Sequence, residues 1–219
     1  MNDIPQPIIK QLRSLMPVRP LEEHEARSIA ERQATKLLEL LEQHAPAVDV
    51  GLITELPLVE VKVDSALRGT GILGFSNWSR GRWLIVVNRD DSTTRRRFTL
   101  SHEFKHILDH PYIGVIYSKL GKTEEERDYL TERICDYFAA CLLMPRNWLK
   151  RAWASGIQDQ TALAAKFHVS EAAMGIRLKE VGLIEPQFRS IRLPAIGRPV
   201  RNYFRRLPVA QPKLNTTTP

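Results

Sequence analysis

Cysteine is scarce in this chain of 219 residues, where only Cys135 and Cys141 occur. If both lie on one helix, their separation of six residues places them about 9 Å apart along the axis. A disulfide needs Cα atoms within about 7 Å of each other. The cysteine content therefore excludes a disulfide-stapled secreted domain and predicts a reduced, cytoplasmic protein with structural thiols.

Long hydrophobic runs are also missing. No apolar stretch approaches the roughly 18 to 20 residues that a membrane-spanning helix needs. Residues 1–7 lack the basic start and apolar core of a secretory signal. With 43% hydrophobic and 26% charged residues, the composition predicts a globular protein with a buried core and no membrane partner.

Acidic residues are nearly missing from the C-terminal segment 185–219. There Glu185 is opposed by six arginines and Lys213, so the segment carries +6 and leaves +1 of the net charge of +7 for residues 1–184. It also contains six of the fourteen prolines. We interpret it as a basic proline-rich tail, either a solvated terminus or a weak, salt-dependent contact to nucleic acid.

The remaining pattern predicts helices and a small sheet. A helix is expected over residues 21–44, and later helices over residues 93–110 and 124–143, with Ser92 or Thr93 and Thr123 as caps. Between them lie three strand-like segments, at residues 58–63, 71–75 and 83–87. Residues 76–81 predict a hairpin connection between the last two. A small antiparallel sheet follows from this arrangement. The chain is predicted to divide into a flexible N-terminus at residues 1–20, a main domain at 21–145, a small helical unit at 146–184 and the tail at 185–219.

The small helical unit resembles a helix-turn-helix. Residues 162–167 and 171–181 predict two helices around a turn at 168–170. Such a unit can read DNA or can simply pack as two helices. Its second helix has a mixed-sign surface, whereas a DNA-reading helix usually offers more cations and amides, so we favour packing.

The strongest motif is His-Glu-Phe-Lys-His at residues 102–106. On a helix, His102 and His106 lie one turn apart on one face, where both can reach a metal ion about 2 Å away. Glu103 is rotated by about 100° around the axis, so it is better placed to take a proton from water at the metal than to bind the metal. Its apolar surroundings argue against two solvated histidines, because buried imidazoles need partners. The motif predicts a zinc hydrolase, most often a peptidase.

A third ligand should come from another element. His110 continues the same face but lies about 12 Å along the axis from His102, which is too far to share one ion, and Asp109 fails for a similar reason. The next predicted helix offers the remaining acidic candidates, which are Glu124, Glu125, Glu126, Asp128, Glu132 and Asp136.

Among these, Glu132 and Asp136 share one face with apolar neighbours. Glu132 would bind the metal, and Asp136 could accept the second N–H of a ligand histidine. The alternative is that Glu132 forms a salt bridge, with Arg95, Arg133 and Arg146 as the available partners.

Two segments resemble the motif regions of the ImmA/IrrE family of metallopeptidases. They are residues 97–110, RFTLSHEFKHILDH, and residues 132–145, ERICDYFAACLLMP. The resemblance extends over about residues 25–184. It departs from the family pattern at Phe104 and Lys105, which replace the common Leu-Gly, and at Cys135, which replaces alanine. Lys105 is expected to point away from the metal, toward solvent or an acidic partner.

This resemblance implies zinc ligands at His102, His106 and Glu132, with Glu103 as the general base. It implies an α+β, zincin-like fold, in which a small antiparallel sheet and an active-site helix precede the helix-turn-helix-like unit. It also implies an endopeptidase that cleaves a helix-turn-helix repressor of a phage, mobile element or stress regulon. The alternatives are a non-proteolytic regulator that binds a repressor or antitoxin-type partner or DNA, and a toxin-like peptidase restrained by a partner.

Overall fold

The computed structural model describes residues 7–185, so the first six residues and the predicted tail from residue 186 onward lie outside the described part. The fold is mixed α+β, mostly helical, with one three-stranded sheet. The elements in chain order are α1 (Ile8–Ser14), α2 (Glu23–Leu40), a 3₁₀ helix (Val50–Glu55), β1 (Val59–Asp64), β2 (Gly74–Ser79), β3 (Arg82–Asn88), α3 (Thr93–Asp109), α4 (Ile113–Ile116), α5 (Glu124–Leu143), α6 (Arg146–Ala154), α7 (Gln160–Phe167) and α8 (Glu171–Glu180). Within residues 7–185, none of the helices is both long enough and apolar enough to span a bilayer.

The sheet is mixed, which corrects the predicted antiparallel sheet. Its strand order is β1-β3-β2, with β3 antiparallel to β2 but parallel to β1. After β1 the chain crosses the sheet to form β2 at the opposite edge, and β3 then returns to the central position between them. The alternation of residues along a strand does not encode this order. The hairpin turn is also tighter than expected, because β2 continues to Ser79 and only Arg80 and Gly81 turn, with φ of 50° and 79°. Two positive φ values match the tight turns that suit the twist of a hairpin.

The N-terminal segment, predicted to be flexible over residues 1–20, contains helix α1 at Ile8–Ser14. Leu12 on α1 and Met16, two residues beyond its end, are buried in the core. The Arg13 guanidinium donates to the carbonyl oxygens of Ile107 and Leu108, at 2.7 and 3.2 Å. It therefore stabilises the C-terminal end of α3, where unpaired carbonyls and the helix dipole favour a cation.

Helices α3 and α5 begin where the capping residues predict. Ser92 Oγ accepts a hydrogen bond from the Arg95 N–H, and Thr123 Oγ1 accepts one from the Glu126 N–H. α3 packs between the sheet and α5, and α2 covers α5 from another side. The segment between the two helices contains the short helix α4, whose Ile116 is fully buried.

The C-terminal helices α7 and α8 enclose a three-residue turn in which His168 has a φ of 52°. Arg177 on α8 is fully buried and donates to the Met144 carbonyl oxygen at 3.2 Å. It also lies 3.2 Å from Glu180 and 5.3 Å from the centre of the Tyr137 ring on α5. One of the cations expected on the second helix thus anchors α8 to α5 and is not available to DNA. Whether the pair is a true helix-turn-helix stays a prediction.

A buried polar cluster forms around Lys105 and Asp109 of α3. Lys105 is 1% exposed, and its Nζ donates to Asp109 and to Gln33 Oε1. Tyr117 donates its hydroxyl to the second oxygen of Asp109, and Gln33 donates to the Leu12 carbonyl. The expected acidic partner of Lys105 is therefore present, whereas the expected solvent contact is not.

Replacement of Lys105 by alanine should destabilise the protein by about 3–5 kcal/mol, because it leaves the buried carboxylate of Asp109 without its cation. The free energy of unfolding from denaturant titration measures this loss. A matched control is Arg95→Ala, which removes a cation on the same helix that is 59% exposed and 3.7 Å from Asp91. That variant should stay within about 0.5 kcal/mol of the wild type. A loss for Lys105→Ala no larger than that of the control would contradict the assignment.

Candidate metal centre

The histidine pair of α3 faces α5. His102 and His106 lie on successive turns of α3, and their Nε2 atoms are 3.1 Å apart. His102 is 3% exposed, and its ring meets that of His106 edge-on with centroids 4.9 Å apart. The four-residue spacing therefore brings both imidazoles to one place, as the helical reading of the motif predicts.

Glu132 reaches this pair from α5. Its Oε2 lies 3.1 Å from Nε2 of His102, and its Oε1 lies 3.5 Å from Nε2 of His106. Donor atoms that bind one tetrahedral ion at about 2 Å are about 3.3 Å from one another. The three donor groups therefore fit an ion of the size of zinc, and their assignment as ligands stays a prediction.

Two of the three arginines considered as salt-bridge partners of Glu132 pair with other acidic residues. Arg146 lies 3.2 Å from Glu31, and Arg95 faces Asp91. Asp109 and His110 also have other partners. Asp109 pairs with Lys105, and the His110 ring packs edge-on against Trp83 with centroids 4.8 Å apart.

The electrostatics of the cluster suit a cation. Burial alone lowers the pKa of His102, but the hydrogen bonds with Asp136 and Glu132 outweigh it and raise that pKa to about 10. Burial would raise the pKa of Glu132, yet the contacts with His102 and His106 hold it well below its usual range. The carboxylates beside the two imidazoles therefore favour a positive charge at this place.

The outer nitrogens of the two histidines have different partners on α5. Nδ1 of His102 lies 2.9 Å from Oδ1 of Asp136, which is the contact expected from the spacing of Glu132 and Asp136. Nδ1 of His106 lies 3.7 Å from Sγ of Cys135. His102, His106 and Cys135 also offer ligand atoms that all lie within 4.8 Å of one another, so a second, sulfur-containing ligand set has to be considered.

Glu103 lies on the sheet side of α3 and is held by a residue that the sequence did not indicate. Ser76 Oγ on β2 donates to Glu103 Oε2 at 2.8 Å. The strand approaches α3 closely at Gly74, where an added Cβ would lie 2.5 Å from Thr99 and 2.7 Å from the Val86 carbonyl oxygen. Alternation along β2 puts Gly74, Ser76 and Trp78 on one face, but nothing in the pattern shows that this face covers the motif helix.

Comparison with known proteins identifies the family of the chain. The model of the IrrE N-terminal-like domain, which describes a peptidase family, matches residues 64–179, more than half of the chain. A solved structure described as a Mycobacterium tuberculosis transcriptional regulator has a TM-score of 0.56 at 18% identity. The likeness covers 78% of this chain and 51% of that protein, so the chain spans about half of its length and shares its fold. No match is found among curated proteins.

The matched region runs from the end of β1 to the end of α8 and so includes the HExxH helix, Glu132 and the edge strand that carries Ser76. The family match thus covers both segments whose sequences resemble the family motifs. The chain belongs to the ImmA/IrrE family of metallopeptidases.

Proposed function

We propose that this protein is a zinc-dependent endopeptidase of zincin type. The observation that carries the proposal is the convergence of His102, His106 and Glu132 to within 3.5 Å of one another, with Glu103 next to His102 in the chain. In this proposal the three converging side chains hold the metal and Glu103 is the general base. The HExxH helix lies against the sheet and is followed by the helical unit of α6 to α8, as the resemblance implies.

Each residue of the site would have a separate role in the reaction. The chemistry that a bound zinc ion supplies is Lewis acidity, which lowers the pKa of water to about 7. Glu103 accepts a proton from the attacking water and returns one to the nitrogen that leaves. Ser76 holds the Glu103 carboxylate in place, and Asp136 holds His102 through its outer nitrogen.

The peptide substrate is proposed to bind in extended form beside β2. This strand is at the edge of the described sheet, and its Ser76 contacts Glu103. An edge strand offers unpaired backbone groups to which an extended peptide can add as a further strand. Trp78, 40% exposed on the same face, provides an aromatic contact for the peptide.

The proposed target is a helix-turn-helix transcriptional repressor, whose cleavage relieves repression in a phage, mobile-element or stress regulon. The family resemblance supports this target. A cytoplasmic location is part of the proposal, and the two free, buried cysteines support it.

The direct test is incubation of the full-length, zinc-loaded protein with the helix-turn-helix protein encoded nearby. Mass spectrometry should find one or a few discrete cuts in that protein, and a chelator should prevent them. Intact target after incubation with protein shown to contain zinc would contradict the proposed target. No cleavage of any unfolded polypeptide would contradict endopeptidase activity itself.

A second candidate is a non-proteolytic regulator that sequesters a repressor or antitoxin-type partner, or contacts DNA through the tail. The regulator description of the structural neighbour favours it. In cells that carry a reporter for the target promoter, a variant with Glu103 replaced by glutamine separates the two candidates. Proteolysis predicts that derepression is lost, whereas sequestration predicts that it persists.

Ser76→Ala should lower kcat about tenfold with little change in KM. A hydrogen bond to a charged group contributes about 1.5–3 kcal/mol, and tenfold in rate corresponds to about 1.4 kcal/mol at the low end. Steady-state kinetics on a peptide substrate measure the effect. Ser79→Ala, three residues further along the same strand on its opposite face, is the control and should behave like the wild type. Equal kcat values for both variants would contradict the role of Ser76 in holding Glu103.

A further inference from the structure

Two consecutive residues of α5 contact the outer nitrogens of the two histidines, but with unlike chemistry. His102 meets the Asp136 carboxylate at 2.9 Å, whereas His106 meets the Cys135 sulfur at 3.7 Å. Cys135 is fully buried, so its side chain is held against this ring by the surrounding core. Its contact is therefore part of the packed structure and not a surface encounter.

We propose that Cys135 is a positioning residue for the metal centre, because its sulfur accepts the Nδ1–H of His106 and leaves the Nε2 lone pair directed toward His102 and Glu132. The inference rests on the proposed metal centre and adds a role for a residue outside the ligand set. A neutral imidazole carries one N–H, and the partner of that N–H decides which nitrogen remains free to bind a metal.

The reverse hydrogen bond would disable the site. If the Cys135 thiol donated to Nδ1, the ring proton would lie on Nε2, which is 3.1 Å from Nε2 of His102. Sulfur is a weaker acceptor than a carboxylate. His106 should therefore be oriented less firmly than His102, and the two histidines should contribute unequally to metal affinity.

Direct ligation by Cys135 is the competing interpretation, because its sulfur belongs to a possible ligand group with both histidines. The geometry opposes it. The Cys135 sulfur contacts Nδ1 of His106, whereas the Glu132 carboxylate lies beside Nε2 of the same ring. The two nitrogens point away from each other, so an ion held by Nδ1 and sulfur would be a different ion from one held by Nε2 and Glu132.

The experiment is a zinc titration of the full-length protein in competition with a chelator, for the wild type, Cys135→Ala, Cys135→Ser and Cys141→Ala. Cys135→Ala should weaken zinc binding about tenfold, as is typical when the partner of a ligand histidine is lost. Cys135→Ser keeps an acceptor and should recover most of the affinity. Cys141→Ala removes the other buried thiol of α5, away from the histidines, and should match the wild type.

Cobalt substitution provides a second measurement that needs no variant. Wild-type protein loaded with Co²⁺ should lack the intense sulfur-to-cobalt charge-transfer absorption, and its presence would overturn the positioning role in favour of ligation. Equal zinc affinity for the wild type and a folded Cys135→Ala would overturn the inference and leave the proposed function intact. Wild-type protein that binds no stoichiometric zinc would overturn both.

Discussion

Glu103→Gln is expected to lower the rate of peptide cleavage at least 10²- to 10⁴-fold, the usual contribution of a general base. Glutamine has nearly the same size and can still accept the Ser76 hydroxyl, so the packing against β2 should persist. The amide cannot take up the proton of the attacking water. Cleavage of a peptide or of the target protein, followed over time at equal enzyme concentration, measures the loss.

Metal content separates this catalytic loss from collapse of the site. The Glu103→Gln variant should bind one zinc ion per chain and unfold at nearly the wild-type temperature, because Glu103 is not one of the converging donors. Glu124→Gln, on the exposed first turn of α5, is the control for the chemical change alone and should cleave normally. Cleavage by Glu103→Gln at the wild-type rate would contradict the assignment of Glu103 as the general base.

The Glu132→Ala variant is expected to lose its bound zinc. The carboxylate lies 3.1 and 3.5 Å from the two Nε2 atoms, and its loss leaves only two protein donors where a catalytic zinc site usually has three. Affinity should fall by more than the roughly 100-fold limit that loss of a partner outside the ligand set produces. Elemental analysis after dialysis against a weak chelator measures it, and cleavage should disappear with the metal.

The same variant decides between the two possible ligand sets. If the metal were held by the histidines and Cys135, Glu132→Ala would keep stoichiometric zinc, and Cys135→Ala would lose it. The proposed set of His102, His106 and Glu132 requires the opposite order of effects. Glu124→Ala, which removes an acid from the first turn of the same helix, should keep its zinc and so controls for the loss of negative charge on α5.

The site could be anticipated largely because its parts lie on two capped helices. The spacing of His102 and His106 is useful only if α3 is helical, and the Ser92 cap and the apolar stripe predicted that helix. Glu132 and Asp136 share a face of α5 for the same reason, and the structure places both beside His102. Helical periodicity is a local property of the chain, so it can be inferred without knowledge of the fold.

The errors arise where distant parts of the chain meet. The parallel pairing of β1 with β3 depends on how the chain crosses the sheet, and strand alternation is the same in either direction. Helix α1 lies within residues 1–20, where the prolines indicate no helix. Leu12 of α1 is buried in the core, and Arg13 contacts the end of α3, about 95 residues away.

By itself, the sequence determined the two helices and the residues on each helix face. It therefore indicated the candidate donors His102, His106 and Glu132 and the candidate base Glu103. The tertiary structure alone decided which strand lies beside Glu103, that Ser76 binds it, and that Cys135 instead of a carboxylate contacts His106. The physical reason is the range of the interactions. Helix formation and capping act between residues a few positions apart, whereas the partner of a buried polar group is whichever side chain the packing of remote elements brings within hydrogen-bonding distance.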